Sequence, residues 1–269
     1  MLALVGYAAR MIAITRDVSP SLAACELSFV PRMPIDIERA IAQHTHYCRA
    51  LRMLGCDIVS LAALDDMPDA VFVEDVAVVL DEVAIMTRPG AVSRRGEGAS
   101  VAEALQPYRT VKIIGGDATI DGGDVLRVGR SIFVGQGDRT NAAGLDALRT
   151  IAEPLGYRVQ GVPTHGCLHL KSAATLVGDG TLLVQPDWVD VGVFDGLRLI
   201  HVDADEEHAA NALRVGTSVV HPATFPRTRQ RLQDAGIDVV AVDLSELQKA
   251  EGATTCCSIV FARSPGGAS

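Results

Sequence analysis

One pattern recurs four times along this chain of 269 residues. Two short apolar runs flank a tight turn, a helical stretch follows, and a further apolar run ends the unit. The first copy pairs Val76–Leu80 with Val83–Thr87 across Asp81-Glu82, then adds a helix over Glu97–Leu105 and a strand at Val111–Ile114. The second pairs Asp124–Val128 with Ser131–Val134 across Gly129-Arg130, followed by a helix over Asn141–Leu155 and a strand at Arg158–Val162. The third joins Ala174–Val177 to Thr181–Val184, with a weaker helical stretch near Trp188 and a strand at Leu197–Val202. The fourth joins Ala212–Val215 to Thr217–Val220, with a helix near Ala223–Ala235 and a strand at Asp238–Val242. The spacing is roughly 40–50 residues.

The two ends of the chain supply the pieces of a fifth copy. Met11–Thr15 reads as a strand, Pro34–Leu54 as a helix with Pro34 in its first turn and Gly55 at its end, and Asp57–Leu61 as a strand. The last apolar run, Cys257–Ala262, is expected to lie beside Met11–Thr15. Five ββαβ units joined in this way form a closed α/β ring around a central channel, which leaves no open sheet edge. An ordinary open α/β sheet is the alternative, but successive hairpins suit it less well. Val18–Met33, with two prolines and apolar Leu27 and Phe29, reads as a loop able to act as a lid. Without a linker or low-complexity segment, residues 11–269 are expected to be a single domain. Residues 1–10 are read as an ill-ordered extension ahead of an alternative start at Met11.

Composition removes several function classes. The formal charge is −9, from 24 basic and 33 acidic residues, and aromatics make up 4%. Such a surface does not suit nucleic acid or an anionic membrane and weakly favours a cationic small ligand. No run approaches the roughly 20 apolar residues of a membrane span. The first residues lack the basic start of a signal peptide. The six cysteines, Cys25, Cys48, Cys56, Cys167, Cys256 and Cys257, follow no disulfide or CxxC spacing, which points to a reducing, cytoplasmic setting.

Four stretches carry reactive side chains. Ala250–Val260 leads through a glycine and two threonines to adjacent cysteines at the mouth of a strand. A thiol there is held by a buried element yet reachable, which suits a nucleophile. The alternative is a small buried cysteine. Val71–Val76 sets Glu74 and Asp75 inside an apolar run read as a strand, where acids need a cation or an ion-pair partner such as Arg94 or Arg95. Asp69 precedes it. Thr119–Asp124 places Asp121 and Asp124 around a Gly-Gly that permits close approach. In Cys167–Ser172, alternation puts His169 and Lys171 on one face. Cysteine, histidine and acid together fit nucleophilic catalysis. Zinc held by Cys256, Cys257 and His169 is conceivable, but no ligand set stands at motif spacing, so no metal and no cofactor are expected.

These stretches, with Thr87-Arg-Pro-Gly-Ala, Ser93-Arg94-Arg95, Arg139-Thr-Asn141 and Thr255-Cys-Cys-Ser, resemble the dimethylarginine dimethylaminohydrolase family in motif and order, over about residues 69–262. The resemblance implies a five-fold pseudosymmetric α/β propeller. It also implies hydrolysis of a small-molecule substrate, a methylated arginine, to citrulline and an amine. By position, Cys256 is implied as nucleophile, His169 as proton donor and Asp121 as its orienting acid. Glu74 and Asp75 would hold the guanidinium with Asp69 nearby, and Arg94 and Arg139 the substrate carboxylate. Main-chain groups at Ala250 and Glu251 would take the amine, where the family usually has Val-Asp. Leu27 would sit on the lid. A homodimer is compatible with this. The alternatives are another guanidine-modifying hydrolase such as an arginine deiminase, or a non-catalytic methylarginine-binding or thiol protein on the same fold.

Overall fold

A computed structural model describes residues 10–263. Residues 1–9 of the expected extension lie outside the described residues. The chain opens with β1 (Met11–Arg16), α1 (Ile37–Met53) and β2 (Cys56–Leu61). The first hairpin unit is β3 (Ala77–Val79), β4 (Val83–Met86), α2 (Ala99–Leu105) and β5 (Thr110–Ile113). The second is β6 (Val125–Val128), β7 (Ser131–Gln136), α3 (Ala142–Ala152) and β8 (Arg158–Pro163). A short helical turn, α4 (Leu170–Ala173), precedes β9 (Ala174–Gly178), β10 (Thr181–Val184) and β11 (Arg198–His201). The last unit is β12 (Leu213–Val215), β13 (Ser218–Pro222), α5 (Pro226–Asp234) and β14 (Asp238–Val242), and α6 (Ser245–Gln248) and β15 (Ile259–Ala262) close the chain.

These strands form five three-stranded mixed sheets, which fit a pseudo-fivefold arrangement. In each unit the hairpin pair is antiparallel and the strand after the helix is parallel, as in β3-β4-β5. The terminal strand takes the missing hairpin place: β15 pairs antiparallel with β1, Met11 opposite Ala262 and Ile14 opposite Ile259, while β2 runs parallel on the other side. Three hairpins turn on a left-handed glycine, Gly129, Gly180 and Gly216, all with φ near +60°, a conformation that costs glycine little. One strand of every sheet (β3, β6, β9, β12 and β15) lines a single cavity of about 380 Å³.

Local differences from the sequence reading have physical causes. The α1 helix starts at Ile37 rather than Pro34, because the Asp36 carboxylate accepts the Arg39 N–H and caps it. Glu74 and Asp75 lie in a 3-10 turn, Val73–Val76, that feeds β3, not inside a strand. His169 is the residue before the first turn of α4, so strand alternation does not govern it. The helical stretch expected near Trp188 is a 3-10 turn at Val191–Phe194. No helix among the described residues is long and apolar enough to cross a membrane.

The junction of the chain ends is packed, not peripheral. Phe261 is buried among Ile12, Ile14, Val73 and Val76, meets Tyr108 edge to face at 5.5 Å, and lies under the Arg109 guanidinium. Phe261→Ala is therefore expected to destabilise the protein by about 3–5 kcal/mol in urea unfolding, the range for a truncated core aromatic. A cost below about 1 kcal/mol would mean that the terminal strand is an appendage.

Candidate active site

The turn carrying Glu74 and Asp75, the Asp121-Gly-Gly-Asp124 turn, the His169 turn and the Cys256 loop converge on one small cavity. Its wall includes Asp69, Asp75, Arg94, Asp121, Arg139, Leu168, His169, Ala250, Glu251 and Cys256. Asp75, Arg94, Asp121 and His169 are all at most 5% exposed, so each charge needs a partner. His169 Nε2 is 2.9 Å from Asp121 Oδ2, and its Nδ1 is 3.7 Å from Asp75 Oδ1. Arg94 Nη1 reaches Asp75 Oδ2 at 2.5 Å, and the Gly123 N–H donates to Asp75 Oδ1. Burial opposes the imidazolium, but Asp75 and the hydrogen bond to Asp121 outweigh it and raise His169 to about 9. Burial also opposes the Asp75 carboxylate, yet His169 and Arg94 outweigh it and hold it below the usual carboxylate range.

Glycines make this packing fit. A Cβ on Gly123 would fall 2.6 Å from His169 Nδ1 and 2.8 Å from Asp75 Oδ1, and one on Gly122 would strike the Glu74 carbonyl at 1.9 Å. Gly90 does two things: its N–H donates to Asp121 Oδ1, and a Cβ there would meet the Arg139 carbonyl at 2.5 Å. The turns are then joined by hydroxyls and acids that the sequence does not advertise. The Asp121 N–H donates to Thr140 Oγ1, which donates to Asp124 Oδ2 at 2.6 Å. Asp124 Oδ1 accepts the Leu170 N–H beside His169. Burial pushes Asp124 up to about 6.

Cys256 is half-buried, unlike the enclosed Cys257. Its loop is held from several sides. Its carbonyl accepts the Glu74 N–H. The Thr255 hydroxyl donates to Glu74 Oε2 at 2.6 Å. Asn211 bonds Thr254 and Thr255 through main chain and side chain, and the Tyr47 hydroxyl donates to the Thr254 carbonyl. Desolvation, then the nearby Glu74 and Asp75 charges, push the Cys256 thiol up to about 12. At rest it is a thiol.

Two expected ligand groups are committed elsewhere. The Glu74 carboxylate is bonded to Lys171 Nζ at 2.6 Å and to Thr255, and it lines the 380 Å³ cavity, not the one beside Cys256. These bonds tie it to Lys171 and to the Cys256 loop, since a buried acid needs a cation or donor as partner. The Arg94 guanidinium is spent largely on Asp75, Glu97 and the carbonyls of Asp69 and Phe72. Arg139 Nη2 donates to Ser28 Oγ of the loop over the cavity. Asp69 Oδ2 accepts the Glu26 N–H of that same loop. Leu27 packs against the cluster around α1 and does not line the cavity. Ligand atoms of Asp75, Asp121 and His169 lie within 4.8 Å of one another, close enough for one metal ion. A cation there would have to displace the imidazolium proton that now balances the two acids.

The Gly123 contacts give a direct check. Gly123→Ala is expected to lower kcat by on the order of a hundredfold, because it displaces the imidazole by an ångström or more. Circular dichroism should stay native; wild-type turnover in a folded variant would refute the packing described.

The family profile described as N,N dimethylarginine dimethylhydrolase, eukaryotic, matches residues 31–262. The dimethylarginine dimethylaminohydrolase of Streptomyces coelicolor is 42% identical over 249 residues, covering 92% of this chain and 95% of that protein. The solved Pseudomonas aeruginosa DDAH, a cysteine-to-serine variant complexed with citrulline, matches with TM-score 0.86 at 33% identity, covering 93% of this chain and 98% of that one. A dimethylarginine dimethylaminohydrolase solved as a histidine-to-glycine variant, in an adduct with S-methyl-L-thiocitrulline, matches with TM-score 0.89 at 34% identity, again covering 93% and 98%. With its profile match, its sequence identity and its fold in agreement, the chain belongs to the dimethylarginine dimethylaminohydrolase family.

Proposed function

We propose that this chain hydrolyses N-omega-methylated arginines to citrulline and methylamine or dimethylamine, with Cys256 as nucleophile, His169 as proton donor and then base, and Asp121 as its orienting acid. The observation that carries the reading is an imidazole held between two carboxylates in the cavity that also contains the thiol. An imidazole raised to about 9 is an acid at neutral pH, suited to protonating a leaving amine. It is not free to take the thiol proton.

The thiol therefore ionises to solvent when the substrate arrives. A guanidinium beside Asp75 offsets the acidic field that holds the thiol neutral. Asp75 uses one site on each oxygen for Gly123 and Arg94 and keeps further lone pairs for this cation. The thiolate attacks the guanidinium carbon, and a tetrahedral adduct forms. His169 gives its proton to the methylated nitrogen, the C–N bond breaks and the amine leaves. The product on the enzyme is an amidino thioether on Cys256. Water then adds to that carbon while His169 takes a proton. Collapse expels the thiolate and leaves the ureido group of citrulline. The relatives solved with citrulline and with a thiocitrulline adduct support a covalent cysteine route. No step calls on a cofactor.

The sheet order and the shared cavity support a five-bladed α/β propeller forming one catalytic domain over residues 11–263, with the cavity as its channel; residues 264–269 of the expected domain lie outside the described residues. All six cysteines are free thiols, in keeping with a reducing, cytoplasmic setting. A homodimer is proposed as the chain's assembly. Arg139 is proposed to take the substrate carboxylate, Asp69 to help hold the guanidine end, and the main chain at Ala250 and Glu251 to take the amine. Arg94 would join Arg139 only through the part of its guanidinium not bonded to the acids. Glu74 would act on the guanidinium only through its charge.

Side-by-side citrulline assays with asymmetric dimethylarginine and arginine test the reading. The methylated substrate should be turned over and arginine should not; the reverse would mark a deiminase. Cys256→Ser should abolish turnover, and His169→Ala should leave at most a single slow turnover. A Cys256→Ser protein that still forms citrulline at the wild-type rate would remove the nucleophile.

A further inference from the structure

Glu251 is the one non-glycine residue among those described with a positive φ, +58°. That region crowds any side chain bearing a Cβ and is rarely occupied by a long unbranched residue. Where it persists, the surrounding contacts must compensate. Here they do so through the carboxylate. Glu251 accepts the Ser28 N–H at 3.1 Å on Oε1 and 3.0 Å on Oε2, the Phe29 N–H, and the Val30 N–H at 2.8 Å. Three successive peptide N–H groups aimed at one anion form a nest, and bonds to an ionised acceptor are the stronger kind.

The segment so held continues from Glu26, which lines the Cys256 cavity, while Phe29 and Val30 line a neighbouring cavity of about 170 Å³. Its other ties are the packing of Leu27 against the cluster around α1 and single polar bonds: the Glu26 N–H to Asp69, the Ser93 hydroxyl to Glu26, and Arg139 to Ser28. Phe29 is 44% exposed, so burial of that side chain does little to hold the loop down. With the loop in this position the cavity measures about 20 Å³. That is about the space of one water-sized probe and far too little for an arginine-sized molecule. Entry therefore requires the loop to lift, and lifting breaks the contacts to Glu251.

We propose that the Glu251 carboxylate is a positioning residue that latches the 26–30 lid over the active site and so sets how tightly substrate is retained. This deepens the proposed hydrolase reading and rests on it. An aspartate would stop one methylene short of the three N–H groups.

The test uses the full-length protein and two readouts. The first is limited proteolysis, with chymotrypsin for Phe29 and trypsin for Arg32 and fragments mapped by mass spectrometry, which needs no catalysis. The second is the KM for asymmetric dimethylarginine. In Glu251→Gln, which keeps the shape but loses the charge, lid cleavage should rise about tenfold and KM by a similar factor. Glu251→Asp should fall between Gln and wild type. Cleavage at the wild-type rate with KM within about twofold overturns the latch. So does cleavage spread along the chain, which would mean that Glu251 serves the fold as a whole. If citrulline formation fails in the wild type, the hydrolase reading falls while the proteolysis result still stands or falls by itself.

Discussion

A protonated imidazole packed between two buried carboxylates is the interaction on which this site depends. His169 alone would lose its proton on burial, and Asp75 and Asp121 alone would repel each other. Together with Arg94 they form a cluster of mutually paired charges. The cost of removing such groups from solvent is recovered only if the geometry is tight. This accounts for glycine at 90, 122 and 123, where a single Cβ would collide with a member of the cluster or its supporting backbone. Desolvation, with Glu74 and the same Asp75 that charges the imidazole, keeps the thiol neutral. On the proposed mechanism the resting enzyme is thus an acid beside an unreactive sulfur, and a cationic substrate changes the second without changing the first.

The architecture matters because every member of the cluster comes from a different turn. The turn before β3 supplies Asp75, the turn before β6 supplies Asp121, and the turn before β9 supplies His169. The loop before β15 supplies Cys256. Each reactive residue therefore precedes a strand that lines the shared 380 Å³ cavity. Pairing of β15 with β1 brings the last of these back to the first. The Glu74 N–H on the Cys256 carbonyl and the Thr255 hydroxyl on the Glu74 carboxylate then fasten the two ends of the sequence together at the site itself.

Much of this was legible from residues alone because period-two and helical patterns alternate four times. The closure followed from having one strand too many at one end and one hairpin strand missing at the other. The reactive cysteine, histidine and aspartates stood out because such groups are costly in apolar surroundings. What stayed hidden has a common cause. Thr140, Asn211 and Tyr47 are polar residues of ordinary type in ordinary positions, and their roles exist only through partners that the fold brings from far along the chain. The Glu74 and His169 turns were misread as strands because a single helical turn is too short to set a period. The Glu251 side chain was overlooked for a different reason: its main chain was expected to matter, and no local pattern foretells a left-handed glutamate.

The charge state of His169 in the resting enzyme tests the account most directly. A pH titration of its ring by NMR, assigned against His169→Ala, should give a midpoint of about 9. Asp75→Asn should move it downward, since the lost anion is what favours the imidazolium. A midpoint near the ordinary 6.5 in the wild-type protein, unmoved by Asp75→Asn, would contradict the claim that two carboxylates keep this imidazole charged for its work as an acid.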